Sequence, residues 1–276
     1  MPYPRAPYYV LAVMAVIVAG FWPTYFGAWT DAPWQFHAHG VAASTWVTMV
    51  FAQSWTAHRK PQLPLHRTVG KSSLFLFPFL IAGLCAIIDL TGKRFVADPD
   101  PVRTMFGSSF VIGLAIAIAA YVTVYFRALK YRRKVWVHSG YMLATPLILF
   151  ESPFGRILNM FVPGLTIRGP ADFHLIMPAI LWSMALELAF IALVWLKYRE
   201  RASPFLVAGA FIAVQMATMA ALTNSALLMP VLSAIGHTPS AAMVLAGFAL
   251  GAATSWAGWQ AGKRPVAPMV GAAQAA

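Results

Sequence analysis

The chain has 276 residues, 60% of them hydrophobic and 10% charged, with seven histidines, one cysteine and a formal net charge of +12. A soluble domain carries roughly 25% charged residues, so this balance excludes an ordinary water-soluble fold and indicates an integral membrane protein. Positive charge of this size also suits nucleic acid, but the basic residues sit in short connections between apolar blocks, where they act as topology signals, and no nucleic-acid partner is expected.

The apolar blocks are about 20 residues long, the length a helix needs to cross roughly 30 Å of hydrocarbon, and no series of alternating ten-residue segments suggests a barrel. The expected fold is all-α: a polytopic helical bundle in the lipid bilayer, one transmembrane domain over residues 1–264. Its eight spans fall at about 8–29, 36–57, 71–91, 104–128, 135–160, 172–197, 204–228 and 239–261, followed by a disordered Ala/Gly/Gln tail over 265–276. Arg5 precedes the first span, which runs on through Phe21 and Trp22 without a small-residue cleavage site and so reads as uncleaved. Cys85 lies inside an apolar run and can form neither an intramolecular disulfide nor a thiolate cluster within one chain. Of the 20 Lys and Arg, 15 fall on one side, in the loops around Arg5, Arg59–Lys71, Arg127–Lys134, Lys197–Arg201 and Lys263–Arg264. Lys93, Arg94, Arg103, Arg156 and Arg168 fall on the other. The positive-inside rule then places both termini in the cytoplasm of a bacterial inner membrane. The 229–238 connection has no Lys or Arg, which leaves a re-entrant hairpin open for the last pair of spans. Pro23, Pro78, Pro146, Pro153 and Pro178 lie inside spans, and Pro146 frees the carbonyl of Met142 for another partner.

In this orientation the histidines form two layers. His37, His39, His174 and His237 lie near the periplasmic face with Asp89, Glu151 and Asp172, while His58, His66 and His138 lie near the cytoplasmic face. Imidazole binds iron, copper, zinc and haem iron, and carboxylates add hard ligands, so His37, His39, Asp89, Glu151 and His174 form a candidate non-haem metal set. His39 with His174, and His66 with His138, are candidate axial pairs for haem b, since each pair shares a membrane depth. Within Gln35–Gln53, the residues His39, Trp46 and Gln53 are seven apart and make one helical stripe that is expected to face the bundle. His37 lies about 200° from His39 on a regular helix and can share a metal with it only where residues 37–39 are extended. Neither layout carries a spacing signature such as H-E-x-x-H, and histidines near a membrane face also serve simply as hydrogen-bonding anchors.

Glu187 lies near the middle of the sixth span, and an intramembrane carboxylate is a functional candidate by default. Ser183 one turn away, and Gln215 and Thr218 on the seventh span, are its candidate partners, for an interhelical hydrogen bond or for a proton relay with Glu187 in the catalytic role. Glu151 and Arg156 flank Ser152-Pro153-Phe154-Gly155, a segment suited to breaking helix geometry; they suit either a buried ion pair or a ligand carboxylate positioned by Arg156.

The combination of His37-Ala-His39 with Trp46 and Gln53, Leu65-His66-Arg67 followed by Gly70, Val135-Trp-Val-His138 and Gly155-Arg156 resembles a group of uncharacterised bacterial multi-pass membrane proteins, over roughly residues 35–160. The order of histidine-headed helices is also distantly similar to b-type cytochromes of the ferric-reductase and ascorbate-reductase kind. That likeness implies haems held by histidine pairs on four helices; here His39 and His66 fall on opposite faces, so His174 would have to be recruited from the sixth span. The leading expectation is a membrane redox or metal-site protein, a metal- or haem-dependent oxidoreductase. It would use the periplasmic set above, with a second site at His66 and His138 for haem, quinone or a lipid headgroup. The alternatives are a transporter or channel with a path near Glu187, Gln215 and Thr218, and an assembly subunit joined to another membrane subunit, for which Gly247 and Gly251 offer a small-residue packing face.

Overall fold

The computed structural model describes residues 2–98 and 100–263; the expected tail and Arg264 lie outside the described residues. Among the described residues ten α-helices follow in order: α1 Ala6–Phe21, extended by a π turn over Trp22–Phe26, α2 Trp34–Ala57, α3 Leu63–Ala97, α4 Pro101–Lys130, α5 Val135–Ala144, α6 Glu151–Phe161, α7 Ile176–Tyr198, α8 Ser203–Leu222, α9 Met229–His237 and α10 Ser240–Ala261. Proline in the first turn opens α1, α3, α4, α8 and α9, where its missing N–H costs no intrahelical bond. Asp100 caps α4 by accepting from the Arg103 amide at 2.8 Å.

Among the described residues, five stretches are long and apolar enough to cross a membrane: Ala6–Phe26, Lys60–Ala97, Pro101–Lys130, Pro170–Leu222 and Ser240–Ala261. The fourth contains both α7 and α8, folded back on each other through a 3-10 turn at Arg199–Ala202. The chain is therefore a helical membrane protein. The polar α2 has 24 residues, about 36 Å of helix.

The expected span at 135–160 is two helices separated by a break. Pro146 lies in a 3-10 turn over Thr145–Leu147, Ile148 is extended, and Leu149 is left-handed at φ 67°. The 229–238 connection holds the short helix α9, packed against α3 and α4. Gly92 and Gly236 let α9 and α3 touch: a Cβ on Gly236 would fall 2.6 Å from the Gly92 carbonyl oxygen. Lys93 donates to the Gly236 and Thr238 carbonyls at 3.3 and 2.9 Å, capping the end of α9.

Helix α3 is the central beam, packed against α2, α4, α9 and α10. Gly247 and Gly251 seat α10 on α3, beside Cys85 and Pro78, so this small-residue pair is used inside the chain rather than for a partner subunit. Successive contacts α1–α2–α3–α4–α8–α7–α6 and back to α1 close a ring. Both described chain ends lie at one end of the bundle. His58 Nε2 meets the Pro2 carbonyl at 3.0 Å, Tyr3 stacks edge-on against Trp136, and Arg132 donates to the Trp259 carbonyl at 2.9 Å.

Candidate functional site: a cavity lined by a broken helix

The ring of helices encloses a cavity of about 620 Å³ with walls from α1, α2, α3, α4, α6, α7 and α8. Its surface is mainly apolar, and its polar groups include His39, Glu151, Ser152, Arg156, Asn159 and Gln215. The break between α5 and α6 supplies one wall, through Pro146 and Ile148 to Pro153.

The backbone at this break finds partners inside the protein, as irregular chain at membrane depth requires. The Met142 carbonyl accepts from the Thr145 hydroxyl at 2.8 Å and from the Thr145 amide. The Thr145 hydroxyl in turn accepts from Trp46 Nε1 at 3.0 Å. The Ile148 carbonyl accepts from the Tyr121 hydroxyl at 2.9 Å. Trp46 is almost wholly buried, edge-on to Tyr125, which stacks on Phe77 at 4.1 Å. The stripe residue Trp46 thus ties α2 to the break.

Glu151 begins α6 and is buried; Gln215 Nε2 donates to its Oε1 at 3.3 Å, and its Oε2 has no hydrogen-bond partner. The pairing with Arg156 is not made. Arg156 Nη1 donates instead to the Ser152 carbonyl and hydroxyl at 2.7 and 2.9 Å, and its guanidinium lies 4.7 Å from the centre of the Phe21 ring. Glu187 is 3% exposed with neither carboxylate oxygen hydrogen-bonded. Its expected partners are engaged elsewhere: Ser183 donates to the Ala179 carbonyl, Thr218 to the Val214 carbonyl, and Gln215 to Glu151.

Helix α2 begins at Trp34, so residues 37–39 are helical and the condition for His37 and His39 to share a metal is not met. His37 Nδ1 faces the Tyr25 hydroxyl at 3.4 Å and its ring lies against Trp29, whereas His39 lines the cavity with Nδ1 buried and unpartnered. Asp89 is fully buried in a structural pair, with Lys93 at 3.5 Å and Gln35 Nε2 at 3.4 Å. His174 is exposed on a 3-10 turn, its Nδ1 on the Ala171 carbonyl. Among the described residues no three His, Cys, Asp or Glu are grouped so as to hold a metal ion, and Glu151 is accordingly not read as a ligand.

At the other end of the bundle, His66 Nδ1 bonds the Gln53 carbonyl at 3.2 Å and His138 Nδ1 the Ala128 carbonyl at 2.9 Å. Each keeps Nε2 for another partner, and the two rings are close enough to interact electrostatically. Gln53 Nε2 is buried without a partner.

Sequence reasoning missed Tyr121, Ser152 and the Trp46–Thr145 link. Thr145-Pro146 carried a signal for the last, because a hydroxyl beside a helix-breaking proline is the natural partner of the carbonyl it frees. Compared with protein-family models, curated proteins and solved structures, the chain matches none.

Proposed function

We propose that the protein is a multi-pass transporter of the bacterial inner membrane, with eight crossings, both termini cytoplasmic, and the cavity as its binding site. The crossings are α1, α2, α3, α4, the broken α5–α6 unit, α7, α8 and α10. The observation that carries this reading is the break at Thr145–Phe150, which lines a mainly apolar cavity beside buried Glu151 and Gln215 and half-buried Arg156. Discontinuous helices at membrane depth place polar backbone and side chains against a bound molecule, and pocket volumes of roughly 300–1,000 Å³ suit small organic ligands. The ligand is then a small, largely apolar molecule with one polar end.

Accessibility of the cavity from the two sides of the membrane tests this without knowing the ligand. Ser152→Cys in a Cys85→Ser background is labelled with a membrane-impermeant cationic methanethiosulfonate, in right-side-out and inside-out vesicles. Alternating access predicts labelling from both sides. Labelling from one side alone assigns the cavity to a binding protein or enzyme, and labelling from neither removes it as a site.

A second reading, a redox protein holding haem b or a transition metal (iron, copper or zinc) with a quinone as partner, is favoured by His66 and His138. Backbone-anchored Nδ1 atoms leave two Nε2 lone pairs, the usual arrangement of metal-bound imidazole. Purified protein would then carry a Soret band, or stoichiometric metal, that His66→Ala and His138→Ala each abolish.

A further inference from the structure

The packing of α6 on α7 brings two acids together. A Cβ on Gly155 would lie 3.5 Å from Ser183 Oγ and 3.6 Å from the Ala179 carbonyl. Consecutive membrane-crossing helices run antiparallel, so one turn back from Gly155 on α6 meets one turn forward from Ser183 on α7. Those positions are Glu151 and Glu187, 4% and 3% exposed, and Glu187 lies close enough to feel the charge of Glu151. Three of their four carboxylate oxygens have no hydrogen-bond donor; Gln215 serves the fourth. Two neighbouring buried carboxylates served by a single side-chain donor do not both stay ionised, as in other acid pairs that share a site.

We propose that Glu151 and Glu187 hold one proton between them and that a monovalent organic cation entering the cavity displaces it. With one shared proton the pair carries a single negative charge, which the Arg156 guanidinium, close enough to interact with Glu151, balances. When the carboxyl O–H breaks, the proton leaves to water and the site is left with one net negative charge, which one monovalent cation neutralises. The exchange is one for one and leaves the charge of the site unchanged. The apolar walls suit the organic part of such a cation, and Glu151, which lines the cavity, meets its charged end. Other groups facing the pair are the Tyr121 hydroxyl from α4, which interacts with Glu151, and the amide of Gln215 from α8; α1 carries no charged residue between Ala6 and Phe21. His39 from α2 lines the same cavity.

The exchange rests on the cavity being a ligand site, whereas the shared proton does not. Infrared spectra of the protein in lipid, with the Glu151→Gln/Glu187→Gln double variant subtracted, count the protonated carboxyls at neutral pH. One per chain is expected; none or two overturns the shared proton. Glu187→Gln replaces an acid that lacks partners and is expected to fold, with its melting temperature less dependent on pH than that of the parent. Tetraphenylphosphonium, a lipophilic monovalent cation, should saturably bleach the carboxyl band. A band that persists at saturating probe overturns the exchange but leaves the proton count, and the two-sided labelling of Ser152→Cys, standing on their own.

Discussion

The wall between α1 and α6 depends on Gly20, and Gly20→Ala tests how tightly it is built. The added methyl would lie 2.7 Å from the carbonyl carbon of Pro153 and 2.8 Å from its Cα, both backbone atoms. Carbon atoms prefer roughly 3.5–4.0 Å, so the helices must part by about 1 Å. Overpacking of this kind costs about 1–3 kcal/mol. Against it stands the helix propensity of alanine over glycine, about 0.8–1.0 kcal/mol. A net loss of about 1 kcal/mol remains, roughly fivefold in the folding equilibrium. Gly209→Ala is the control, because the atoms nearest its Cβ would be side-chain carbons, of Ile191 at 3.3 and 3.4 Å and of Leu188 at 3.8 Å. There a flexible side chain yields, the propensity gain survives, and a stabilisation of about 0.5–1 kcal/mol is expected. Reversible unfolding in mixed micelles with increasing dodecyl sulfate reads both variants, which should differ by about 2 kcal/mol in opposite directions from the parent. Equal stability of the two would show that α1 does not bear on Pro153 as described. Parting these helices also loosens the cavity wall, so Gly20→Ala should speed labelling of Ser152→Cys.

Other outcomes follow from single contacts. Trp46→Phe removes the bond to Thr145 and should cost about 0.5–1.5 kcal/mol, while Trp46→Ala also empties the aromatic cluster and should cost about 3–5 kcal/mol; the same unfolding assay separates them. Lys93→Met strands the buried Asp89 and should cost on the order of 2–3 kcal/mol, less than a fully buried pair because the Lys93 side chain is 35% exposed; adding Asp89→Asn should recover part of the loss. Tyr3 donates to the Arg201 carbonyl at 2.7 Å, and burial, then the neighbouring Tyr198, pushes its phenol up to about 12. The folded state holds that proton more tightly than the unfolded chain, so this contribution to stability is complete below about pH 10, the ordinary phenol value, and is lost as pH rises through about 12. Ultraviolet titration of tyrosinate should lose this late step in Tyr3→Phe.

Helices were legible wherever one apolar run met one crossing. Residues 204–228 and 239–261 became α8 and α10 with ends shifted by a few residues, except that α8 stops at Leu222, where the Asn224 amide bonds the Met105 carbonyl. The 135–160 run hid its break because apolar content is blind to φ and ψ; only Pro146 and Pro153 marked it. Of the site, Glu151, Arg156, Gln215 and Glu187 could be named from the sequence because polar groups in an apolar span stand out. Their partners could not be named. Composition gives no phase between helices, and Gln215, expected as a partner of Glu187, serves Glu151 instead. The histidine layers look alike by depth, yet His39 lines the cavity, His37 packs on aromatic rings and His174 lies in the open.

The placement of charge bears on orientation as well as on the site. Five of the 20 basic residues were assigned to the outer side, and the structure gives most of them a role besides topology. Arg156 lines the cavity, Lys93 pairs with Asp89 and caps α9, and Arg103 is matched by Asp98 and Asp100 at 3.0 and 3.1 Å. Arg94 and Arg168 remain. On the opposite side the Lys and Arg of the Arg127–Lys134 turn have no acidic partner within ion-pair distance among the described residues; Arg132 holds helix-end carbonyls, and Lys130 and Lys134 lie over Tyr131. The positive-inside rule counts Lys and Arg rather than net charge, so for the proposed orientation the paired Lys93 and Arg103 still count and the bias stays at 15 against 5. Arg156 differs from the loop charges: a cation inside a ring of apolar helices stays there only if something negative balances it, and the Glu151–Glu187 pair with one proton supplies that single charge.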